Sequence, residues 1–303
     1  MKISVDGGGL GAKKGERFGN YVFSENLIKA LCLYDKKNKY FFYTFENLKP
    51  RLAWLKGRVS LEEFKERKDI FLALNQAIPL FVSGKIVSFC HGLSYYFFPQ
   101  YYSKQDRSRL NKQLKEMIKR SDYIIVSSER VKKELTSINR SIERKVVVIP
   151  FGIPFDMKEE SRIENQESGT GKYFLYVGMD HPIKNLEFIK KLSKNYRVNF
   201  VTKNMERIKL KQLYRQATAL LTASYYESFN LPVLEALSQG CPVIGLRSAI
   251  IPELRPYVNL AKNNTEFVDL MERIPVKPNV QSIKRLKTEF NWENYVEKLV
   301  ELY

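Results

Sequence analysis

Histidine and cysteine are scarce in this chain, and acids fall far short of bases. Two histidines and three cysteines occur in 303 residues. Cys32, Cys90 and Cys241 are odd in number and scattered, with neither metal-ligand spacing nor the density of a disulfide framework. They read as reduced thiols of an intracellular protein, and no zinc or other metal site is expected. No apolar run reaches the roughly 18 residues of a membrane-spanning helix. Met1-Lys2-Ile3-Ser4-Val5-Asp6-Gly7 lacks the apolar segment of a signal peptide, so the expected location is the cytoplasm. The acid deficit is large: 33 Asp and Glu face 51 Lys and Arg, for a net charge of +18. Residues 1–150 hold 29 bases against 15 acids, and residues 151–303 hold 22 against 18. A field of this kind draws anionic partners: phosphorylated substrates, acidic lipid headgroups on the inner face of a membrane, or nucleic acid. A purely solubilising surface is the alternative.

What is present is a globular composition, with 44% hydrophobic and 13% aromatic residues and enough length for two domains. A strand at Lys2–Asp6 leads into Gly7-Gly8-Gly9-Leu10-Gly11, followed by a helical pattern from Asn20 to Leu33. Further strands are expected at Tyr40–Thr44, Ile86–Cys90, Tyr123–Ser127 and Val146–Pro150, with helices near 103–120 and 128–136. Residues 156–172 are polar, end in Ser-Gly-Thr-Gly and read as a linker. Strand–helix alternation then restarts, with strands at Tyr173–Val177, Val198–Thr202, 219–223 and Pro242–Leu246. Helices are expected at Asn185–Leu192, 206–216 and 232–239. The expected class is α/β, with two doubly wound parallel sheets whose ligands bind outside the carboxyl ends of the strands.

One stretch carries most of the chemistry. Glu227 and Glu235 stand eight residues apart in Tyr226-Glu227-Ser228-Phe229-Asn230-Leu231-Pro232-Val233-Leu234-Glu235. The segment leaves the apolar strand Ala219–Ala223, turns, and enters a helix at Pro232, whose missing N–H suits a first helical turn. Glu227 therefore falls on a loop at a strand's carboxyl end, and Glu235 on the first turn of the following helix. Between them the helix start offers free N–H groups and a positive dipole end, a seat for phosphate. Two carboxylates flanking such a seat suit a nucleotide sugar, because carboxylate oxygens accept from vicinal hydroxyls. A loop acid beside a solvated helix acid is the plainer alternative.

Four motifs in series favour the first reading. They are Tyr173-Phe174-Leu175-Tyr176-Val177-Gly178, Lys184-Asn185-Leu186, the Glu227…Glu235 pair, and Gly240-Cys241-Pro242-Val243-Ile244. Together they resemble a family 4 retaining glycosyltransferase of the GT-B fold, densely over residues 173–255 and thinly elsewhere. The resemblance implies two Rossmann-like domains facing across a cleft. An N-terminal acceptor-side domain would cover residues 1–155 and a nucleotide-sugar donor domain 156–284, with a closing helix at 285–303 packing back on the first. The segment Phe290-Asn291-Trp292-Glu293-Asn294-Tyr295 matches the family's Trp-containing final helix.

The resemblance also implies roles. Lys184 would neutralise the leaving diphosphate, Glu227 would bind donor-sugar hydroxyls and support a cationic transition state, and Glu235 would hold the ribose hydroxyls. Ser228, Phe229, Asn230 and Leu231 would form the turn whose amides face the diphosphate. Gly9 and Gly11 match the family's glycine-rich first loop, and His91 a histidine near the reaction centre. Ser127-Ser128 fits a strand-then-Ser helix cap. No cofactor or metal is implied beyond the nucleotide-sugar co-substrate, linked to UDP or GDP. The acceptor would be a glycan or lipid-linked molecule, acidic to suit the charge. Two positions depart from the family: Asn230 stands where Gly is usual, and Met179 where an Arg usually joins the lysine. Asn tolerates a left-handed backbone, so the turn survives on paper.

Two stretches stand apart from these motifs. The basic run Ala12-Lys13-Lys14-Gly15-Glu16-Arg17 follows the glycine loop, and Tyr95-Tyr96-Phe97-Phe98-Pro99-Gln100-Tyr101-Tyr102 precedes a basic helix. The aromatic run reads as core, with an acceptor wall or a membrane-interface anchor as alternatives. The expected activity is transfer of a hexose from a nucleotide-diphosphate sugar with retention of configuration. The rival readings are a DNA-modifying glycosyltransferase and a non-catalytic sugar- or polyanion-binding protein of the same fold.

Overall fold

A computed structural model describes residues 1–11, 19–49, 52–158, 173–273 and 275–303. The basic run after the glycine loop and most of the expected linker lie outside the described residues. The chain divides into two compact units, Met1–Pro150 with Trp292–Tyr303, and Phe151–Asn291.

In the first unit the strands are β1 (Lys2–Asp6), β2 (Lys39–Tyr43), β3 (Ile70–Ala73), β4 (Lys85–Cys90), β5 (Tyr123–Val126) and β6 (Val146–Val148). All pair in parallel, in the order β2-β1-β3-β4-β5-β6. This is the doubly wound order whose direction reverses between the first and third strands. Parallel strands covered on both faces need apolar residues throughout, so β3 reads Ile-Phe-Leu-Ala and is buried at every position. That strand is missing from the sequence expectation, because a four-residue apolar run has no period to distinguish it. The helices are α1 (Gly19–Tyr34), α2 (Ser60–Lys65), α3 (Ser94–Phe97), α4 (Lys104–Arg120) and α5 (Glu129–Ile138). Ser103 and Ser128 cap α4 and α5 by accepting from Asp106 N and Val131 N.

The aromatic run divides between inside and outside. Tyr95 is buried and donates to Gln76 Oε1 at 3.1 Å, whereas Tyr96 and Phe97 are 45% and 40% exposed.

The second unit holds β7 (Phe174–Val177), β8 (Val198–Val201), β9 (Ala219–Thr222), β10 (Val243–Leu246) and β11 (Asn259–Ala261). Their order is β11-β10-β9-β7-β8, again parallel, with the reversal between β7 and β9. The helices are α6 (Leu186–Leu192), α7 (Arg207–Gln216), α8 (Leu231–Ser238), α9 (Asn264–Glu272) and α10 (Val280–Glu289). Leu186, Ile189, Leu221, Ile244 and Phe267 belong to its buried core.

The final helix, α11 (Trp292–Val300), belongs to the first unit. Trp292 and Tyr295 are each 1% exposed, and Phe23 of α1 lies 6.1 and 6.2 Å from their rings. The returning segment therefore starts at Trp292 rather than 285, and α10 stays with the second unit. Among the described residues, no helix is long and apolar enough to cross a membrane.

Candidate active site

The crevice rule for doubly wound sheets points to the loops after β7 and β9. These loops are tied together by two hydrogen bonds. Tyr225 N donates to Ile183 O at 2.9 Å, and Asn185 Nδ2 donates to Ala223 O at 3.1 Å. Asn185 takes a left-handed φ of 52°, which ends the short turn Pro182–Lys184 and starts α6. Lys184 is thereby aimed across the switch point. Its Nζ donates to both carboxylate oxygens of Glu227, at 2.7 and 2.8 Å. Ser224 Oγ donates to Glu227 Oε1 at 2.7 Å. Glu227 is 8% exposed, so its charge is held by partners rather than by bulk water.

The next turn is built from side chains that serve the backbone. Asn230 has a φ of 73°, and its Nδ2 donates to Thr222 Oγ1 at 3.0 Å and Ala249 O at 3.2 Å. These bonds hold a left-handed residue that Gly would supply without a side chain. Asn230 makes no side-chain cap bond to α8, and only its backbone carbonyl accepts from the helix start, from Val233 N at 3.1 Å. Phe229 faces inward, 2% exposed, with its ring 4.6 Å from Phe151 and 6.1 Å from Phe290. Leu231 is buried as well. Phe229 and Leu231 thus bring backbone, not side chains, to the turn, while Ser228 is half-buried.

Glu235 has a separate set of partners. Arg207 Nη2 donates to its Oε1 at 2.6 Å, and Tyr214 Oη donates to its Oε2 at 2.9 Å. Arg207 also grips Asp156, through Nε at 2.7 Å and Nη2 at 3.1 Å. Burial pushes the Glu235 carboxyl above its ordinary range, against the pull of Arg207 and Tyr214. Burial likewise holds the Tyr214 phenol protonated. Sequence reasoning missed Arg207, Tyr214, Asp156 and Ser224. A signal existed for two of them: Arg207 and Tyr214 are seven apart on one helix, hence on one face.

Met179 is 40% exposed at the turn after β7. Beyond it, His181 Nδ1 accepts from Ile183 N at 3.3 Å. Burial and the nearby Lys184 hold the His181 ring below its ordinary pKa.

In the first unit, the predicted residues gather at the carboxyl ends of β1 and β4. His91 Nε2 lies 2.6 Å from Leu74 O and must be the donor, which leaves Nδ1 as the acceptor nitrogen of a neutral ring. Burial pushes the His91 pKa down to about 4. Asp6 Oδ1 accepts from Gly8 N at 2.9 Å, and burial pushes its carboxyl up to about 6. Gly8–Gly11 form a single 3-10 turn. A Cβ on Gly11 would run into the Phe45 ring, and one on Gly9 would sit 2.9 Å from Ser24 Oγ.

Comparison with known proteins agrees with this architecture. Residues 184–274 match the family "Glycosyl transferases group 1", and residues 36–156 match "Glycosyltransferase Family 4". Over 300 residues the chain is 21% identical to O-antigen chain mannosyltransferase B of Escherichia coli, covering 84% of this chain and 77% of that one. A D-inositol 3-phosphate glycosyltransferase of Kribbella flavida is 30% identical over 126 residues, or 38% of this chain, and the match spans only 30% of that relative. Among solved structures, sucrose-phosphate synthase from Thermosynechococcus elongatus superposes with a TM-score of 0.74 at 17% identity, over 100% of this chain and 98% of that one. Anabaena HepE in complex with UDP and glucose gives 0.67 at 13% identity, over 99% and 98%. At these identities the structures carry the fold alone.

Proposed function

The chain is a family 4 glycosyltransferase of the GT-B fold, and from that premise we propose that it moves a hexose from a nucleotide-diphosphate sugar to a glycan or lipid-linked acceptor, with retention of configuration. The observation that carries this reading is the Lys184–Glu227–Ser224 cluster at the β7/β9 switch point, beside the start of α8. The leaving diphosphate takes its counter-charge from Lys184 and from the N–H groups that open α8. Glu227 accepts hydrogen bonds from donor-sugar hydroxyls and stabilises the positive charge that develops at the anomeric carbon. It acts as a stabiliser and not as a nucleophile; the acceptor's proton passes to the departing phosphate on the same face. Glu235 takes the ribose hydroxyls. In the N-terminal unit, His91 lines the reaction centre, and the loop carrying Gly9 and Gly11 brings its backbone to the phosphate. The second unit binds donor and the first binds acceptor.

With Met179 in place of the family's usual Arg, the counter-charge comes from Lys184 and the start of α8, and the reading calls for no metal ion. A UDP donor is suggested by HepE, of like fold, which is a UDP complex, and GDP is the alternative. The acceptor is acidic. On α4, Lys112, Lys115 and Lys119 are exposed on one face and would hold an anionic membrane surface.

Release of UDP or GDP from a panel of nucleotide sugars tests the activity, and NMR of the product's anomeric proton tests retention. Activity should persist in EDTA. Transfer should disappear in Glu227→Ala and Lys184→Ala while both remain folded. Unchanged turnover in the two variants sinks the assignment.

A further inference from the structure

Glu235 is a buried carboxylate with an environment that the family motif does not account for. Its side chain is 4% exposed, and each oxygen already accepts one bond from α7. A carboxylate has about four acceptor directions, so each oxygen retains one. We infer that Arg207 and Tyr214 are positioning residues for the nucleotide ribose: they clamp one side of Glu235, fix its plane, and leave the remaining lone pairs for the vicinal diol. This rests on the donor reading above, in which Glu235 meets the ribose.

Three observations support the clamp. First, the two donors reach different oxygens, so the carboxylate cannot rotate without losing one of them. Second, Arg207 is itself fixed by a two-pronged contact to Asp156, and Tyr214 is fully buried. Rigid partners hold a rotamer that a solvated glutamate would leave. Third, Arg207 opens α7 and follows β8, at the carboxyl side of the sheet where donor is expected to bind. Arg207 and Asp156, 27% and 36% exposed, are where the cluster meets solvent.

The clamp also has an electrostatic duty. Glu235 must be ionised to accept from two hydroxyls at once. Burial opposes ionisation, as does the negative charge of Asp156, and Arg207 is the cation that counters both. Tyr214 adds a hydrogen bond to the charged form, and the Cys241 thiol near Tyr214, pushed up to about 12 by burial, stays neutral. Without Arg207 the carboxyl takes up a proton at higher pH, and ribose recognition becomes pH-dependent.

The test compares UDP and GDP with their 2′,3′-dideoxy counterparts by isothermal titration, at pH 6 and pH 8.5. In the unaltered protein, loss of the ribose hydroxyls should weaken binding about 10- to 100-fold, as expected for hydrogen bonds to a charged acceptor. Glu235→Gln should shrink that ratio to within about threefold of unity at both pH values. Arg207→Gln should shrink it at pH 6 and recover part of it at pH 8.5, and Arg207→Lys should restore it at both. Tyr214→Phe, which removes one oxygen and keeps the packing, should reduce the ratio by roughly three- to tenfold. A merely structural Arg207 would weaken nucleotide and dideoxynucleotide equally and leave the ratio alone. The inference falls if Glu235→Gln collapses the ratio while Arg207→Gln and Tyr214→Phe leave it unchanged. The underlying ribose reading falls if Glu235→Gln leaves the ratio intact, or if the unaltered protein binds neither nucleotide, and the inference falls with it.

Discussion

Glu227→Gln separates the two jobs assigned to the switch-point cluster. Glutamine keeps the size of the side chain and an acceptor for Ser224, but removes the charge that holds Lys184. Two of the three N–H donors of the Lys184 ammonium now go to Glu227, at 2.7 and 2.8 Å. A donor diphosphate has to share that ammonium with the carboxylate. The side chains are 23% and 10% exposed. The pair therefore falls between exposed ion pairs, worth about 0.2–1 kcal/mol, and buried ones, where losing one partner costs about 3–5 kcal/mol. A coupling of about 1–3 kcal/mol follows, and a double-mutant cycle in chemical denaturation reads it directly. Freed from its partner, Lys184 should bind diphosphate as well as before, or up to about tenfold tighter, since 1.4 kcal/mol is one decade. Turnover should move the other way, falling about 10²- to 10³-fold as the developing charge loses its counter-ion. Lys184→Ala should lower both. Isothermal titration with UDP and GDP, beside initial rates, gives the two numbers. The reasoning is refuted if Glu227→Gln loses nucleotide affinity in step with rate, or if the cycle shows no coupling between the pair.

Three other outcomes are expected. Asn230→Ala should cost about 1–3 kcal/mol in chemical denaturation, from a left-handed φ of 73° without the bonds to Thr222 and Ala249; Asn230→Gly, free of the backbone strain, should cost less. Asp6 ionises near 3.8 in the unfolded chain and about 6 in the folded one, so between these values the folded state keeps a proton that the unfolded state has released. Stability should therefore decline from pH 4 to pH 6, by up to about 3 kcal/mol, and Asp6→Asn should flatten the melting temperature across that window. Changing Lys112, Lys115 and Lys119 together to Glu should remove sedimentation with phosphatidylserine vesicles, at roughly 1 kcal/mol for each charge, and spare turnover on a soluble acceptor.

Motifs that stay close in sequence were legible, and partners that come from elsewhere in the chain were not. Glu227, Asn230 and the start of α8 share one loop, so their order alone placed them at a strand's carboxyl end. Lys184 lies 43 residues away, and only the parallel β7/β9 pairing joins the two loops. The family resemblance substituted for that missing geometry. Nothing substituted for it at Glu235, whose neighbours come from α7 and from Asp156, 79 residues upstream of it in a segment that reads as linker. Strand β3 was lost for a related reason: it is an interior strand of its sheet and buried at every position, so it carries no alternation, although it sits at the first unit's switch point. Side-chain direction was lost as well. Phe229 stands in the middle of the motif, yet its ring packs on Phe151 and Phe290, and only its backbone belongs to the turn. Position in a motif thus fixes which backbone enters the turn. Which way a side chain is held depends on its partners, and for Glu235 these are Arg207 and Tyr214.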